Sequence, residues 1–198
     1  TEKKCTILYL PEASDLYQEN EQAKQFDFGG LDNFMEGEGR KGHFNGVATI
    51  VEKLFRIISP EKAFFGEKDL QQLQIIKYIS KQLQIPIEII GIPTKREESG
   101  LAMSSRNKLL SETGIQKATL IYQTLKYIKE NSDNFTVDQL KKIAIEKFSH
   151  QTDVNLEYLE IVSLEKLQPI SEFKDANENA ACIAASISSV RLIDNIIF

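Results

Sequence analysis

The sequence predicts an α/β protein, in which a parallel sheet is followed by a smaller α+β unit. In the first half, apolar strand-like runs alternate with amphipathic helical patterns, which is typical of parallel strands joined by helices. After Pro93, two helical patterns come first and three strand-like runs follow. Only Ser188 and Ser189 separate the last two runs, which predicts a hairpin and an antiparallel sheet. We therefore place a domain boundary at Pro93, giving predicted domains 1–93 and 94–198.

Strands in the first half are predicted where apolar residues run continuously, and helices where they recur every three or four positions. The predicted strands cover residues 5–10, 63–65 and 87–92, with an edge strand at 25–28. The predicted helices cover residues 13–17, 44–58 and about 69–84, with a turn at 32–35 that Asp32 caps. After that turn, three glycines predict a flexible loop around Arg40 and Lys41, and they are Gly37, Gly39 and Gly42.

The second half is expected to pack two helices against a small antiparallel sheet. A helix is predicted at residues 111–130, and a second helix begins after Thr136, whose hydroxyl can accept from the first free N–H groups. Three strands are predicted at residues 155–162, 180–187 and 190–197.

The composition is that of an ordinary water-soluble protein, with 41% hydrophobic and 27% charged residues in a chain of 198. The net charge of -5 argues against nucleic acid as a partner. No apolar run approaches the ~20 residues that span a bilayer. Cys5 and Cys182 lie in apolar runs, which favours buried reduced thiols over a disulfide and therefore a cytoplasmic location. No cluster of cysteine and histidine predicts a metal site.

The stretch from Phe64 to Gln72 (FFGEKDLQQ) joins a strand, a glycine and the start of a helix. The first N–H groups of a helix lack partners within it, and together with the charge of Lys68 they can hold an anion such as phosphate. The residue pattern alone leaves a solvated turn open as the alternative, because glycine also serves ordinary turns.

Three further motifs stand out along the chain, one before this stretch and two after it. They are MEGEGRKGHFNGV at residues 35–47, GLAMSSRN at 100–107 and VRLIDN at 190–195. Together the four resemble the pantoate–β-alanine ligases (pantothenate synthetases), and the resemblance covers essentially the whole chain. The family's N-terminal section, with a glycine-rich nucleotide loop and paired histidines, has no counterpart here. We therefore expect an incomplete form that is nearly inactive alone and contains no certain catalytic residue.

The resemblance implies a Rossmann-like nucleotide- and pantoate-binding domain over residues 1–93 and an α+β lid domain over 94–198. It also implies a reaction: ATP activates pantoate as pantoyl adenylate with release of pyrophosphate, and β-alanine then displaces AMP to give pantothenate. Mg²⁺ is expected to enter with ATP, held mainly by phosphate oxygens. The expected partners are these small molecules and a second copy in a homodimer, with neither nucleic acid nor membrane.

The resemblance further assigns residues to ligands by motif. The ATP-binding set consists of Gly66, Glu67, Lys68, Asp69, Lys95, Met103, Ser104, Ser105 and Arg106. Gln72 is expected to bind pantoate, since an amide donates to the acid without neutralising the attacking carboxylate. Arg40 and His43 are expected to contact substrate or phosphate, although a histidine beside an apolar helix is more often structural.

Two other functions stay open at this level. Without the resemblance, Gln71 and Gln72 indicate an exposed helix surface and residues 103–106 a surface linker. The first alternative function is a non-catalytic nucleotide-binding or interaction module, which the missing N-terminal section makes plausible. Another adenylyltransferase of the same superfamily is the second alternative, and Gln72 together with residues 103–106 argues against it.

Overall fold

The computed structural model of the protein describes residues 6–198. The first half contains α1 (Ala13–Leu16), α2 (Met35–Gly39), α3 (His43–Ile58), β1 (Lys62–Gly66), α4 (Leu70–Gln82) and β2 (Glu88–Ile92). The second half contains α5 (Glu112–Asn131), α6 (Val137–Ser149), β3 (Val154–Ser163), β4 (Asn179–Ile187) and β5 (Val190–Ile197). Short 3₁₀ turns lie at Glu67–Asp69, Ser105–Leu109 and Phe173–Asp175. The mixed α/β class predicted from the sequence is confirmed.

Strands β1 and β2 pair in parallel, as predicted, with Phe64 opposite Ile90. Helix α4 makes the crossover between them, and α3 packs on α4. Phe64 is 63% exposed, although it belongs to the apolar run that predicted β1. Successive strand residues point to opposite faces, so Phe65 packs edge-on against Phe55 of α3 while Phe64 faces the other way.

Strands β3, β4 and β5 form the predicted antiparallel sheet in that order, and Ser188 at the hairpin has a positive φ of 55°. Along β4, Ala181 and Ile183 belong to a core with α5 and α6, whereas Ala180 and Cys182 belong to a second core with residues from the first half of the chain. The sheet therefore has both faces covered, which follows from the two-residue period of a strand. Its second face brings β4 and β5 against the elements that build the site.

Two strand predictions near the start are wrong. Residues 6–10 contain no strand, and Leu8 and Leu10 are 72% and 78% exposed; Cys5 lies outside the described residues. An apolar run forms a strand only beside a partner, and within the described residues β1 pairs only with β2. Residues 25–28 form no edge strand either, because α3 satisfies the neighbouring backbone: Lys24 N–H donates to Thr49 Oγ1 and Phe26 N–H to Asn45 Oδ1.

The predicted flexible glycine loop is also wrong, because Gly37 and Gly39 are part of helix α2. Phe34, and not Asp32, occupies the N-cap position of this helix. A Cβ at residue 37 would collide with the Asp32 carbonyl, so only glycine permits this close approach. Gly42 has the expected glycine conformation, with a φ of 78°, and immediately precedes α3.

Candidate active site

A cavity of about 210 Å³ opens where α2, the start of α3, the turn after β1 and the end of β5 meet. Five of the sequence-predicted site residues line it together, and they are Arg40, His43, Lys68, Asp69 and Gln72. The other predicted residues do not line it, and they are Gly66, Glu67, Lys95, Met103, Ser104, Ser105 and Arg106. The cavity therefore joins the predicted pantoate residue to two residues of the predicted ATP-binding segment.

The turn Glu67–Asp69 carries β1 into helix α4, which begins at Leu70. Asp69 occupies the N-cap position, but its side chain makes no capping hydrogen bond, so its carboxylate is not used to terminate the helix. The Glu67 side chain lies against Gly91 of β2, and the space beside Gly66 is open. Lys68 and Asp69 are the residues of this turn that line the cavity.

Gln71 and Gln72 have different environments, although both lie in the first turn of α4. Gln72 is half-buried and lines the cavity, on the same side of the helix as Asp69. Gln71 is only 6% exposed; its amide donates to the carbonyls of Leu31 and Phe34, at 2.8 and 2.9 Å, and accepts from the Glu36 N–H at 3.0 Å. The prediction of an exposed helix surface is therefore wrong for Gln71. Its hydrogen bonds to Phe34 and Glu36 instead hold the start of α2 in place.

Arg40 and His43 are placed by the junction of α2 and α3. Arg40 ends α2, and the left-handed Gly42 then turns the chain so that α3 begins at His43. Partial burial, reinforced by the nearby Arg40 cation, lowers the pKa of His43 below its ordinary value. The neutral imidazole is favoured as a result, which leaves one ring nitrogen able to accept a hydrogen bond.

Glu36 brings a buried negative charge to the cavity wall, and the sequence analysis did not identify it. Its carboxylate accepts from both terminal nitrogens of Arg191, at 2.7 and 3.0 Å, and from the Tyr158 hydroxyl at 3.0 Å. Burial opposes ionisation of Glu36, but these donors more than offset it and lower its pKa. Burial, together with the Glu36 carboxylate, raises the pKa of Tyr158. The site therefore holds a charged Glu36 and a neutral Tyr158.

The segment from Met103 to Arg106 lies outside the cavity but is linked to it through Arg191. Arg106 is exposed, and its guanidinium donates to the Arg191 carbonyl at 3.1 Å. The Ser104 hydroxyl accepts from the Arg106 N–H at 3.2 Å and begins the short 3₁₀ turn. The Lys95 carbonyl accepts from the Met103 N–H at 2.9 Å, so the two predicted ATP-binding stretches are joined through their backbones.

A second ion pair joins Arg96 to Asp194, which lines the cavity, and neither residue was among the sequence-predicted site residues. Asp194 is 4% exposed and receives two hydrogen bonds from Arg96, at 2.5 and 3.1 Å. Burial raises the pKa of Asp194, although Arg96 acts in the opposite direction. The signal that could have revealed Asp194 is a polar Asp-Asn sequence inside the apolar run of β5, and Glu36 lies within the motif at residues 35–47. Tyr158 had no comparable signal.

Cys182 also lines the cavity, as a buried free thiol. Burial raises the pKa of this thiol to about 12, so it is protonated at neutral pH and a weak nucleophile. The prediction of a buried reduced thiol is confirmed for Cys182. Within residues 6–198, no group of three His, Cys, Asp or Glu side chains is placed to hold a metal ion, and no helix is both long and apolar enough to cross a membrane.

The chain is similar to known proteins over nearly its whole length. A family model described as pantoate-beta-alanine ligase matches residues 1–197. The pantothenate synthetase of Cytophaga hutchinsonii is 44% identical over 199 residues, covering 100% of this chain and 70% of the relative. That of Christiangramia forsetii is 42% identical, covering 96% of this chain and 67% of the relative.

Solved structures give the same result. The pantothenate synthetase of Thermus thermophilus superposes with a TM-score of 0.86 at 36% identity, covering 94% of this chain and 67% of that one. A pantoate-beta-alanine ligase from Francisella tularensis, complexed with beta-gamma ATP and beta-alanine, gives a TM-score of 0.66 at 33% identity, covering 90% of this chain and 59% of that one. The chain belongs to the pantoate–β-alanine ligase family.

Proposed function

We propose that the chain condenses pantoate with β-alanine at the expense of ATP. The pantoate carboxylate attacks the α-phosphorus of ATP, which forms pantoyl adenylate and expels pyrophosphate. The β-alanine amine then attacks the pantoyl carbonyl, loses a proton and displaces AMP. The observation that carries the proposal is the single cavity in which Lys68, Asp69 and Gln72 meet Arg40 and His43.

The ATP subsite is proposed at the start of helix α4. Lys68 supplies a positive charge for phosphate oxygens, and among the described residues it forms no salt bridge. Asp69 makes no capping bond, so its carboxylate can accept from ribose hydroxyls. The open space beside Gly66 allows the nucleotide to approach the backbone. Mg²⁺ enters with ATP, held mainly by phosphate oxygens, because it prefers hard oxygen ligands and keeps part of its water shell.

The pantoate subsite is proposed around Gln72. Its amide donates to pantoate and leaves the carboxylate charged, as nucleophilic attack requires. Arg40 is close to half exposed and lies 3.6 Å from Glu36, so it retains donors for a substrate carboxylate or a phosphate. The neutral His43 can accept from a pantoate hydroxyl.

The second half of the chain is proposed to act as a lid, residues 94–198, over the binding half, residues 1–93. In this proposal the Arg106 guanidinium gives up its hydrogen bond to the Arg191 carbonyl when ATP binds. It then binds the outer phosphates of ATP through two parallel N–H groups. Ser104 and Ser105 add hydroxyl donors, while Lys95 contacts adenine through its backbone. We further propose a homodimer in the cytoplasm, which sedimentation and fractionation would test.

Substrate assignment is tested by replacing Gln72. Gln72→Ala should weaken pantoate binding about tenfold and leave the affinity for a non-hydrolysable ATP analogue within twofold, because one amide contact contributes about 1.4 kcal/mol. Gln74→Ala is the matched control, since Gln74 is also half-buried on α4 but lies away from the cavity. Calorimetry measures both ligands, and a large loss of nucleotide affinity in Gln72→Ala would reassign the residue to ATP.

The reaction itself is tested by pyrophosphate exchange into ATP. Exchange that requires pantoate supports the proposal. A slow exchange rate would also support the expectation that this chain alone is nearly inactive. Exchange that depends on a different acid or nucleotide acceptor would indicate another adenylyltransferase. Nucleotide binding without pantoate binding would instead favour the non-catalytic module.

A further inference from the structure

Asn195, near the end of β5, connects the antiparallel sheet to the turn that carries Lys68. Its side chain is buried, and its amide nitrogen donates to two consecutive carbonyls, Glu67 at 2.8 Å and Lys68 at 2.9 Å. An asparagine amide has two N–H donors, so both are used on this one turn.

These two hydrogen bonds fix the direction in which the Lys68 side chain leaves the backbone. The Glu67 carbonyl belongs to the peptide group before the Lys68 Cα, and the Lys68 carbonyl belongs to the peptide group after it. Because each peptide group is planar, holding both carbonyls sets φ and ψ at Lys68 and therefore the direction of its Cβ. No side-chain cap holds this turn from within, because Gly66 has no side chain and the Asp69 side chain makes no capping bond.

Asn195 is itself held by the buried pair of Arg96 and Asp194. The Asn195 N–H donates to Asp194 Oδ1 at 2.8 Å, and its carbonyl accepts from Arg96 Nη2 at 3.2 Å. The Arg96 guanidinium lies 3.9 Å from the centre of the Tyr122 ring of α5, which restricts its movement. Arg96 also directly follows Lys95, so the network connects the turn that carries Lys68 to the Lys95 segment.

We infer that Asn195 is a positioning residue for nucleotide binding, which acts by orienting Lys68, and that Arg96 and Asp194 hold it in place. The inference rests on the proposed function, because it takes Lys68 as a ligand of ATP.

The test compares Asn195→Ala with Asn179→Ala in the full chain. Asn179 is a matched control: it is 7% exposed, lies on the neighbouring strand β4, and donates to one backbone carbonyl, that of Phe173, at 3.1 Å. Asn195→Ala should weaken binding of a non-hydrolysable ATP analogue about tenfold in calorimetry, while Asn179→Ala stays within twofold. Equal affinities in the two variants would overturn the inference.

A double-mutant cycle separates positioning from a general loss of structure. If Asn195 acts through Lys68, removing it in a Lys68→Ala background should change ATP affinity by less than about twofold. Additive losses in the cycle would overturn the inference. An unchanged affinity in Lys68→Ala alone would remove Lys68 from the ATP site, and would therefore count against the proposed function as well.

Arg96→Lys provides the test if Asn195→Ala does not fold. Lysine keeps a positive charge beside Asp194 but cannot reproduce the forked contacts to Asp194 and the Asn195 carbonyl. This variant should lose about two- to fivefold in ATP affinity with pantoate affinity intact. Unchanged ATP affinity in a folded Arg96→Lys chain would overturn the inference.

Discussion

Glu36 shows at the scale of a residue how the site obtains its charge. Glu36 is 7% exposed, yet its carboxylate is ionised because Arg191 and Tyr158 donate three hydrogen bonds to it. Arg191 also donates to Glu157 at 2.6 Å and so carries two acidic partners. Removing the Glu36 charge leaves Arg191 with only the carboxylate of Glu157 and weakens the acceptor of the Tyr158 hydroxyl.

Glu36→Gln should therefore lower the free energy of unfolding by about 2–4 kcal/mol at pH 7. Glu157→Gln is the control, because Glu157 meets the same arginine at the surface and should cost less than about 1 kcal/mol. Urea unfolding measures both variants. Similar losses in the two would show that burial does not distinguish these carboxylates.

The same substitution predicts a pH dependence. The pKa of Glu36 is lowered by folding, so its ion pair contributes fully above its ordinary value of 4.5 and is lost as the pH falls through the folded value. The stability difference between Glu36→Gln and the unsubstituted chain should therefore shrink below pH 4.5.

At the scale of an element, the short helix α2 depends on one of its two glycines. Gly37 lies against the Asp32 carbonyl, where a Cβ cannot fit, whereas Gly39 has no atom within 4 Å of its Cβ position. The two residues have the same type and lie in the same motif, but only the first is needed for packing. Helix α2 in turn carries Glu36 and leads into Arg40 at the cavity.

Gly37→Ala should destabilise the protein by about 2–3 kcal/mol, the range for forcing an extra group into a packed position. Gly39→Ala should be neutral or stabilising by up to about 1 kcal/mol, since alanine favours a helix and Gly39 does not have a left-handed φ. Thermal and denaturant unfolding compare the pair. Equal costs would mean that the Asp32 contact does not constrain α2.

At the scale of the whole molecule, the antiparallel sheet connects the two halves of the chain. One face of β4 packs against α5 and α6, and the other packs against Phe28, Met35 and Phe44. The Arg191–Glu36 pair and the Asn195 hydrogen bonds cross between the same two halves. Movement of the second half as a lid would therefore have to break or stretch these polar contacts.

Arg106→Ala should weaken binding of an ATP analogue by about 2–3 kcal/mol, the scale of charge-assisted hydrogen bonds to phosphate. Lys108→Ala is the control. Lys108 is exposed on the same 3₁₀ segment, and its replacement also removes one positive charge. Calorimetry compares the two variants. Equal losses would indicate a general charge effect, and no loss would remove Arg106 from the phosphate site.

The sequence by itself determined most of the elements and named five residues that line the cavity. Helical spacing predicted α3 to α6, the Ser188-Ser189 pair predicted the last hairpin, and Lys68, Asp69 and Gln72 were found through motifs that are local in sequence. Local patterns suffice here because backbone geometry and short motifs depend on near neighbours.

Only the tertiary structure decided which polar residues pair across the chain. Glu36 meets Arg191 from 155 positions away, and Asn195 reaches Glu67 across 128. The same dependence explains why residues 6–10 and 25–28 form no strand, since strand pairing depends on neighbours that the local sequence does not specify. The burial of a residue and its choice of partner depend on what the rest of the fold places beside it. Those contacts set the charges and pKa values of this site.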